Sequence, residues 1–319
     1  MNDKEELPDQ LSDIVSALKE TLTCISGPVA IGLDMAAQEG EWGICVLVLK
    51  DNLESAKLCT LVPQAKINRN GNRSPTLLFR PSLNLLKTLL CCIHKTKRYG
   101  SLAVDTPFGW SCPQSEFLNG WSAQSGWQPA PKPPNAQMPS SRVFARRLCD
   151  LALNDAFPDI QPLAIGADKI ALASLSWAHT RTQLNPYLGE VDLGLANDGQ
   201  GFFTFETYPG AFVNLVAGEY ADYKGRPEIR VELRNHLLDQ YRIEFGANGE
   251  ENLEWACYQR GSPNAFDAFL AALTAWDHVR WRADQNSVIL STPSLLLHGP
   301  IEPLVVKIRK EGWILVRTR

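Results

Sequence analysis

Four acidic residues of the chain stand against apolar segments, where a carboxylate is unexpected. Asp34 ends "AIGLD", Asp105 ends "SLAVD", Glu206 ends "FTFE", and Asp267 lies within "NAFDAFLAAL". A single acid of this kind is most often a solvated strand end, or a helix-start residue that favours the macrodipole. Three repetitions at strand ends favour a shared chemical role instead.

The chemistry that such acids perform depends on their meeting at one place. Side chains at the carboxyl ends of neighbouring parallel strands converge on one crevice, so we expect Asp34 and Asp105 to lie within a few ångströms of each other. Their repulsion is relieved by a shared proton or by divalent cations, and Mg²⁺ and Mn²⁺ are hard ions that suit carboxylates. A carboxylate cluster of this kind is what two-metal hydrolysis of a phosphodiester needs.

Asp267 is the helix-borne member of the set. Leu270, Ala271 and Thr274 follow it at i+3, i+4 and i+7, so its face is the one that packs on the sheet. An acid on that face needs a partner. Asp277, ten residues further on, is a weaker reserve candidate.

Basic and aromatic residues offer substrate contacts near these acids. Lys224 and Arg230 in "YKGRPEIR" suit phosphate positioning or stabilisation of transition-state charge, with Arg226 as a further contact, although a solvent-exposed cationic turn explains them equally well. Trp110 is a candidate for stacking on a base, although packing of a loop is the commoner role of such residues.

Further charged and aromatic residues have commonplace interpretations. Arg147 and Asp150 could form an i,i+3 surface pair or line the cleft, and the surface pair is the favoured interpretation. A solvated loop explains the basic residues around "INRNGNRSP" as well as a phosphate-binding arm does; they are Lys66, Arg69, Arg73 and Arg80. Three histidines lack catalytic spacing to a nucleophile and are expected to be structural or exposed: His179, His236 and His298.

The elements that must position the acids follow from the hydrophobic pattern. Residues 11–25 have helical spacing, and the next segments read as three strands, a Ser82-capped helix and a fourth strand ending at Asp105. This order predicts an α/β fold with a mixed sheet flanked by helices. A Pro/Trp-rich stretch at 111–140 reads as a long loop or insertion that is either disordered or a cover over a functional site, and its tryptophans, Trp121 and Trp127, argue against complete disorder.

The second half of the chain is predicted to be richer in helices. Helices are expected at 140–157 and 167–184, from Pro227, and after Ser262 and Pro263, with a strand ending at Glu206 and two strands within "LVVKIRKEGWILVR".

Composition limits the class of protein. With 319 residues, 45% of them hydrophobic and 21% charged, the chain resembles an ordinary globular protein, and no apolar run approaches a membrane span. The acidic start "MNDKEELPDQ" argues against a secretory signal, and cysteines in apolar stretches without a CxxC pair indicate reduced thiols in a cytoplasmic protein. The net charge of -4 excludes a global basic field, so a nucleic-acid partner would need a local basic surface.

Four segments, in this order, resemble the DUF429 family, uncharacterised proteins described as predicted nucleases with a ribonuclease H-like fold. They are "IGLDMA", "AVDTPFGW", "FETYPGAF" with "YKGRPEIRVELRNHLL", and "DAFLAALTAW" followed by "EGWILVR". The resemblance implies that Asp34 lies on the first strand, Asp105 on the fourth and Asp267 on a late helix, with Glu206 nearby. One departure is that Leu270 and Asn264 stand where resolvase-like enzymes often pair an acid with the one on the late helix.

Together the acids and the resemblance predict a metal-dependent nuclease. Asp34, Asp105 and Asp267 would bind Mg²⁺ or Mn²⁺, Glu206 would be a ligand or a water-orienting base, and Lys224 an electrostatic helper. The nucleic acid, DNA or RNA, and the oligomeric state stay open. The expected organisation is an N-terminal helical extension at 1–27 and one ribonuclease H-like domain at 28–319 with an insertion at about 111–200.

Two other classes of protein are alternatives to a nuclease. A binding or scaffold protein of the same fold with a retired site is the non-enzyme alternative. A kinase of the actin and hexokinase type shares the sheet topology, but it needs a glycine-rich phosphate loop that "LDMAAQ" does not supply.

Overall fold

A seven-stranded mixed sheet forms the centre of the protein. The computed structural model describes residues 9–36, 41–62, 64–67, 73–79, 81–113, 115, 121–122, 126–127, 146–163, 168–195, 201–246, 249–258 and 264–318. The main-sheet strands are β1 (Val29–Asp34), β2 (Gly43–Leu49), β3 (Ala56–Val62), β6 (Gly100–Asp105), β9 (Glu190–Val191), β10 (Phe202–Glu206) and β11 (Ile243–Phe245). Their spatial order is β11-β3-β2-β1-β6-β10-β9. Two small hairpins complete the strands: β4 (Gln64–Ile67) with β5 (Arg73–Phe79), and β7 (Trp121–Ser122) with β8 (Gly126–Trp127).

Helices cover both faces of this sheet. In chain order they are α1 (Asp9–Cys24), α2 (Leu83–Lys95), α3 (Leu148–Ala156), α4 (Asp168–Leu184), α5 (Pro209–Val216), α6 (Pro227–Tyr241), α7 (Gly249–Tyr258), α8 (Asn264–Ala283), α9 (Pro293–Leu296) and α10 (Val305–Glu311). The architecture is therefore α/β, as predicted, and it is compatible with a ribonuclease H-like fold. No helix in the described ranges is long and apolar enough to cross a membrane.

The two faces of the sheet belong to two separate cores. Ile31 and Leu33 of β1 face a core shared with α1, α2 and α4, whereas Ala30 faces a core shared with α3, α5 to α8 and α10. Burial on both faces explains why the strands read as nearly continuous apolar runs. The predicted N-terminal helical extension, α1, packs through Ile14 and Leu18 into the first of these cores.

The strand register places two of the acids side by side. β1 runs antiparallel to β2 and parallel to β6, and β6 runs parallel to β10. Asp34 and Asp105 are register partners at the carboxyl ends of β1 and β6. The predicted convergence of these two strand-end carboxylates follows directly from this pairing.

A close approach between β1 and α8 brings the helix acid to the same edge. A Cβ atom on Gly32 would lie 1.9 Å from the carbonyl oxygen of Ala268 and 2.3 Å from the nitrogen of Ala272. Gly43 of β2 is equally tight against the carbonyl of Asn264. Because glycine has no side chain, the backbone of α8 lies directly on the sheet at these positions.

Several local predictions are confirmed and others are wrong. Ser82 caps α2, its hydroxyl accepting from the Leu85 N–H at 3.2 Å. The predicted penultimate strand is instead helix α10, with Ile308 and Glu311 on one buried face at helical spacing, and only isolated bridges at Ile314 and Arg317 follow it. The helix predicted from 140 begins at Leu148, and residues 140–145 lie outside the described residues.

The basic loop lies only partly within the described residues. Lys66 and Arg73 belong to the paired strands of the β4–β5 hairpin, so these two positions lie in strands and not in a loop. Arg69 and Arg80 lie outside the described residues, as do Ser262 and Pro263.

Candidate metal centre

Three of the four predicted acids form one cluster at the carboxyl edge of the sheet. Asp34, Asp105 and Asp267 each offer a carboxylate oxygen, and these atoms all lie within 4.8 Å of one another. Two come from the paired ends of β1 and β6, and the third comes from the first turn of α8. Hard oxygen donors at this separation suit a divalent cation.

Two neighbouring residues fix the carboxylate of Asp267. The hydroxyl of Tyr223 donates to its Oδ1 at 2.7 Å, and the ammonium of Lys224 lies 3.0 Å from its Oδ2. Both residues lie at the end of the 3₁₀ helix Gly218–Lys224. The role of Tyr223 was missed from the sequence, although its position directly before Lys224 in "YKGRPEIR" was a usable signal.

Burial and like charge disfavour ionisation of the cluster. Burial raises the pKa of Asp34 well above its ordinary value, and the charges of Asp105 and Asp267 add to the effect. Burial also raises the pKa of Asp105, to about 7, against the opposing charge of Lys224. For Lys224, burial works against the charged form, but the charges of Asp267 and Asp105 outweigh it and raise the pKa. One ammonium beside three carboxylates leaves the cluster with excess negative charge, which a bound cation would neutralise.

Glu206 lies beside the cluster but is engaged elsewhere. The Arg147 guanidinium donates to both of its carboxylate oxygens, at 2.5 and 2.6 Å, and the N–H of Phe108 donates to Oε2 at 3.0 Å. Glu206 is 2% exposed. The structure thus places Glu206 in the pocket wall, where Arg147 engages both of its oxygens, and outside the group of three aspartates that could hold a metal ion.

The Arg147–Asp150 pair forms as predicted, but its predicted surface position is wrong. The guanidinium lies 2.9 Å from Asp150 Oδ1, and the side chains are only 2% and 0% exposed. Arg147 also donates to the backbone carbonyl of Glu311, whose carboxylate accepts from the N–H of Cys112 and of Leu148. The pair is buried because the guanidinium of Arg147, a residue of the insertion, also donates to Glu206 and to the last residue of α10.

The three predicted substrate contacts lie in different surroundings. The prediction for Arg230 needs correction, because its buried guanidinium donates to the backbone carbonyls of Cys257, Tyr223 and Lys224 and so fixes the segment that carries Lys224. Arg226 is exposed and lies 3.7 Å from Asp222. Trp110 is half-buried, outside the residues that line the pocket in the described part of the chain.

Other candidates lie away from the acids. Asp277 is buried and accepts from the hydroxyl of Tyr241 at 2.6 Å, so it is no part of the cluster. The histidines predicted to be structural or exposed are all exposed: His179, His236 and His298.

A buried serine–histidine–aspartate arrangement was missed from the sequence. The Nδ1 atom of His278 lies 2.8 Å from Ser101 Oγ, and its Nε2 lies 3.0 Å from Asp192 Oδ2. Ser101 and His278 are 1% and 0% exposed, and the adjoining cavity is about 10 Å³. This arrangement joins α8 to β6, and the described residues around it leave no space for a substrate.

The aspartate cluster opens into a pocket of about 480 Å³. Its polar lining includes the three aspartates, Lys224, Thr106 and Thr207. Its apolar lining, called here the apolar side, comes mostly from the insertion: Pro162, Leu163, Ile170 and Ala173, together with Met35 and Ala36. A pocket with a few convergent polar groups and acids of shifted pKa is the expected form of an active site.

Comparison with known proteins gives one match. The family model described as "Protein of unknown function (DUF429)" matches residues 32–293. This range contains all three cluster aspartates, Glu206 and Lys224. No curated protein and no solved structure matches the chain.

Proposed function

The chain belongs to the DUF429 family, whose function is unknown, and we propose from its site that the protein is a divalent-metal-dependent nuclease that hydrolyses phosphodiester bonds. The observation that carries this proposal is the group of three aspartates whose oxygens lie within 4.8 Å at the mouth of a pocket. Clusters of this composition are what metal-dependent phosphodiester hydrolysis requires.

The donor set fits Mg²⁺ or Mn²⁺. All three donors are carboxylates, and no cysteine or histidine belongs to the cluster in the described part of the chain, so softer metals are disfavoured. The raised pKa values of Asp34 and Asp105 fit as well, because buried carboxylates that repel one another gain most from a cation. Asp34, Asp105 and Asp267 would hold the metal, which when bound supplies an activated water and charge stabilisation of the leaving oxygen.

The surrounding residues have distinct tasks in this proposal. Tyr223 orients Asp267 through the bond to Oδ1. The side chain of Lys224 is half-exposed and lines the pocket, where its charge would stabilise the negative charge of the phosphoryl group in the transition state. Arg147 is neutralised by Glu206 and Asp150, so it holds the pocket wall in place and does not act on substrate.

The proposed substrate is nucleic acid, and the proposed compartment is the cytoplasm. The eight cysteines are all free thiols, which supports a reducing compartment. The choice between DNA and RNA is left to experiment.

A retired, nucleic-acid-binding protein of the same fold is the second candidate. The observation that favours it is Lys224, which lies 3.0 Å from Asp267 and supplies positive charge to the cluster without any metal. In a retired protein this ammonium would neutralise part of the charge of the carboxylates in place of a metal ion.

Hydrolysis assays separate these candidates. Purified protein with Mg²⁺ or Mn²⁺ would be incubated with single-stranded, duplex, hybrid and branched nucleic acids. We expect metal-dependent cleavage that is lost in Asp34→Asn and Asp105→Asn but kept in Asp239→Asn, which changes an exposed acid. Binding of nucleic acid without cleavage, unchanged in the Asn variants, would favour the retired protein.

A further inference from the structure

Two threonines repeat the same local arrangement beside the acids. Thr106 follows Asp105 at the end of β6, and Thr207 follows Glu206 at the end of the adjacent parallel strand β10. The backbone N–H groups of both threonines donate to the carbonyl of Val104, each at 3.0 Å. Their nitrogens therefore lie no further apart than twice that distance, so the two residues are neighbours in the pocket wall.

The hydroxyls of this pair are buried and unpartnered. Thr106 and Thr207 are 3% and 2% exposed, and neither hydroxyl oxygen has a hydrogen-bond partner within the described ranges of the chain. Leaving a buried hydroxyl unpaired costs about 1–3 kcal/mol, and native proteins rarely do so. Both residues line the pocket that holds the aspartates. Two unpartnered hydroxyls on neighbouring residues of one pocket lining point to a ligand as their partner.

We propose that Thr106 and Thr207 form a phosphate-binding pair, whose hydroxyls donate to the non-bridging oxygens of the phosphate group of a single nucleotide unit. Hydroxyl groups suit this position because phosphate oxygens accept hydrogen bonds strongly. Being neutral, they add no charge beside the carboxylates that would hold the cation. The link to hydrolysis rests on the proposed function, whereas phosphate binding by the pair does not.

The apolar side of the pocket restricts which part of the substrate, apart from the phosphate group, can bind there. Leu163 is 63% exposed and Ile170 is half-buried, and both belong to the apolar side of the pocket. A volume of about 480 Å³ lies in the range of small-molecule sites. A nucleotide base held against this side must be out of its stack, so the site takes a strand end or an unpaired nucleotide.

The pair is tested by removing each hydroxyl at constant shape. Calorimetric titrations would measure the affinity for thymidine 5′-monophosphate and for Mn²⁺ in wild type, Thr106→Val, Thr207→Val and Ser174→Ala. Ser174 is the matched control, because its hydroxyl is also buried without a partner in the described structure but lies outside the pocket lining. A hydrogen bond to a charged group corresponds to about tenfold in affinity.

The expected pattern has three parts. Each valine variant binds the nucleotide about tenfold more weakly, keeps wild-type affinity for Mn²⁺, and has a Tm equal to or above wild type because an unpaired hydroxyl is gone. Ser174→Ala keeps the nucleotide affinity. Unchanged nucleotide affinity in both valine variants would overturn the proposed phosphate-binding pair. The proposal would also fail if wild type bound neither the nucleotide nor inorganic phosphate at millimolar concentration.

A structural role for the hydroxyls has a different signature. Valine variants that lower the Tm while the nucleotide affinity stays unchanged would mean that the hydroxyls hold buried water, and this also overturns the proposal. Failure of the proposed function gives a different result. If wild type has no Mn²⁺ affinity but nucleotide binding still falls in the valine variants, the metal site is refuted and the phosphate-binding pair is supported.

The single-nucleotide part is tested on the apolar side. Leu163→Ser should weaken thymidine 5′-monophosphate binding and leave inorganic phosphate binding unchanged. Leu172→Ser is the control, because Leu172 is similarly exposed but does not line the pocket. Equal loss for both ligands in Leu163→Ser, or no loss for either, would contradict placement of the base against this side.

Discussion

The charge of Asp105 is predicted to destabilise the metal-free protein above neutral pH. Burial raises its pKa from 3.8 to about 7, so ionisation of this carboxyl costs more in the folded chain than in the unfolded one. A shift of this size corresponds to at most about 4 kcal/mol at pH 8. We expect Asp105→Asn to raise the free energy of unfolding at pH 8 by roughly 2 kcal/mol. The gain is smaller than the full amount because Lys224 loses a charge partner in the variant.

The pH dependence has a definite sign. Because the folded-state pKa of Asp105 is raised, the unfolded chain loses this proton first as the pH rises. The wild-type protein therefore loses stability between about pH 4 and pH 7, while the asparagine variant lacks this part of the loss. The stability difference between the two proteins should be small at pH 4 and fully developed at pH 8.

Urea unfolding in EDTA, followed by tryptophan fluorescence at pH 4, 6 and 8, measures this difference. Asp239→Asn is the control for an exposed acid and should match wild type at every pH. A variant less stable than wild type at pH 8, or a difference that does not change with pH, would refute the assignment of Asp105 as a half-buried carboxylate that opposes folding when ionised.

Three further substitutions test the parts that hold the cluster. Tyr223→Phe removes the donor to Asp267 Oδ1 and should lower Mn²⁺ affinity about tenfold or more by calorimetry, with the fold unchanged by circular dichroism. Gly32→Ala places a Cβ against the backbone of α8, so we expect a loss of about 1–3 kcal/mol in urea unfolding and loss of Mn²⁺ binding. Arg147→Met leaves the buried carboxylate of Glu206 uncompensated and should cost about 3–5 kcal/mol in the same unfolding assay.

Each of these substitutions has a matched control. Tyr258→Phe changes an exposed tyrosine, Arg226→Met changes an exposed arginine, and Gly218→Ala adds a Cβ where no atom lies within 4 Å. Wild-type Mn²⁺ affinity in Tyr223→Phe would show that Asp267 needs no orienting partner. Wild-type stability in Gly32→Ala or Arg147→Met would contradict the close packing of α8 or the buried ion pair.

The acids at strand ends were predictable because their positions follow from local pattern. A β-branched apolar run fixes where a strand lies, and the residue that ends it falls at the edge of the sheet, so Asp34 and Asp105 could be paired from the sequence alone. The role of Glu206 could not be predicted in this way, since its partner Arg147 lies 59 positions away in the sequence and inside the insertion.

What the sequence did not reveal depends on tertiary contact. The burial of Arg147 depends on Glu311, 164 positions further along the chain. The approach of α8 to the sheet depends on the lack of a side chain at Gly32, which reads as an ordinary strand glycine. The closing segment was wrongly predicted as strands because a short run with mixed apolar residues fits both periods, and packing decided in favour of helix α10.

Calorimetric titration of Mn²⁺ at pH 8 tests the proposed metal site most directly, since the cluster carboxyls must be ionised to bind it. Wild type would be compared with Asp34→Asn, Asp105→Asn and Asp267→Asn, and with Asp239→Asn as the exposed control. The proposal predicts saturable binding in wild type and the control and its loss in the three cluster variants. No binding at millimolar Mn²⁺, or cluster variants that bind as wild type does, would contradict it.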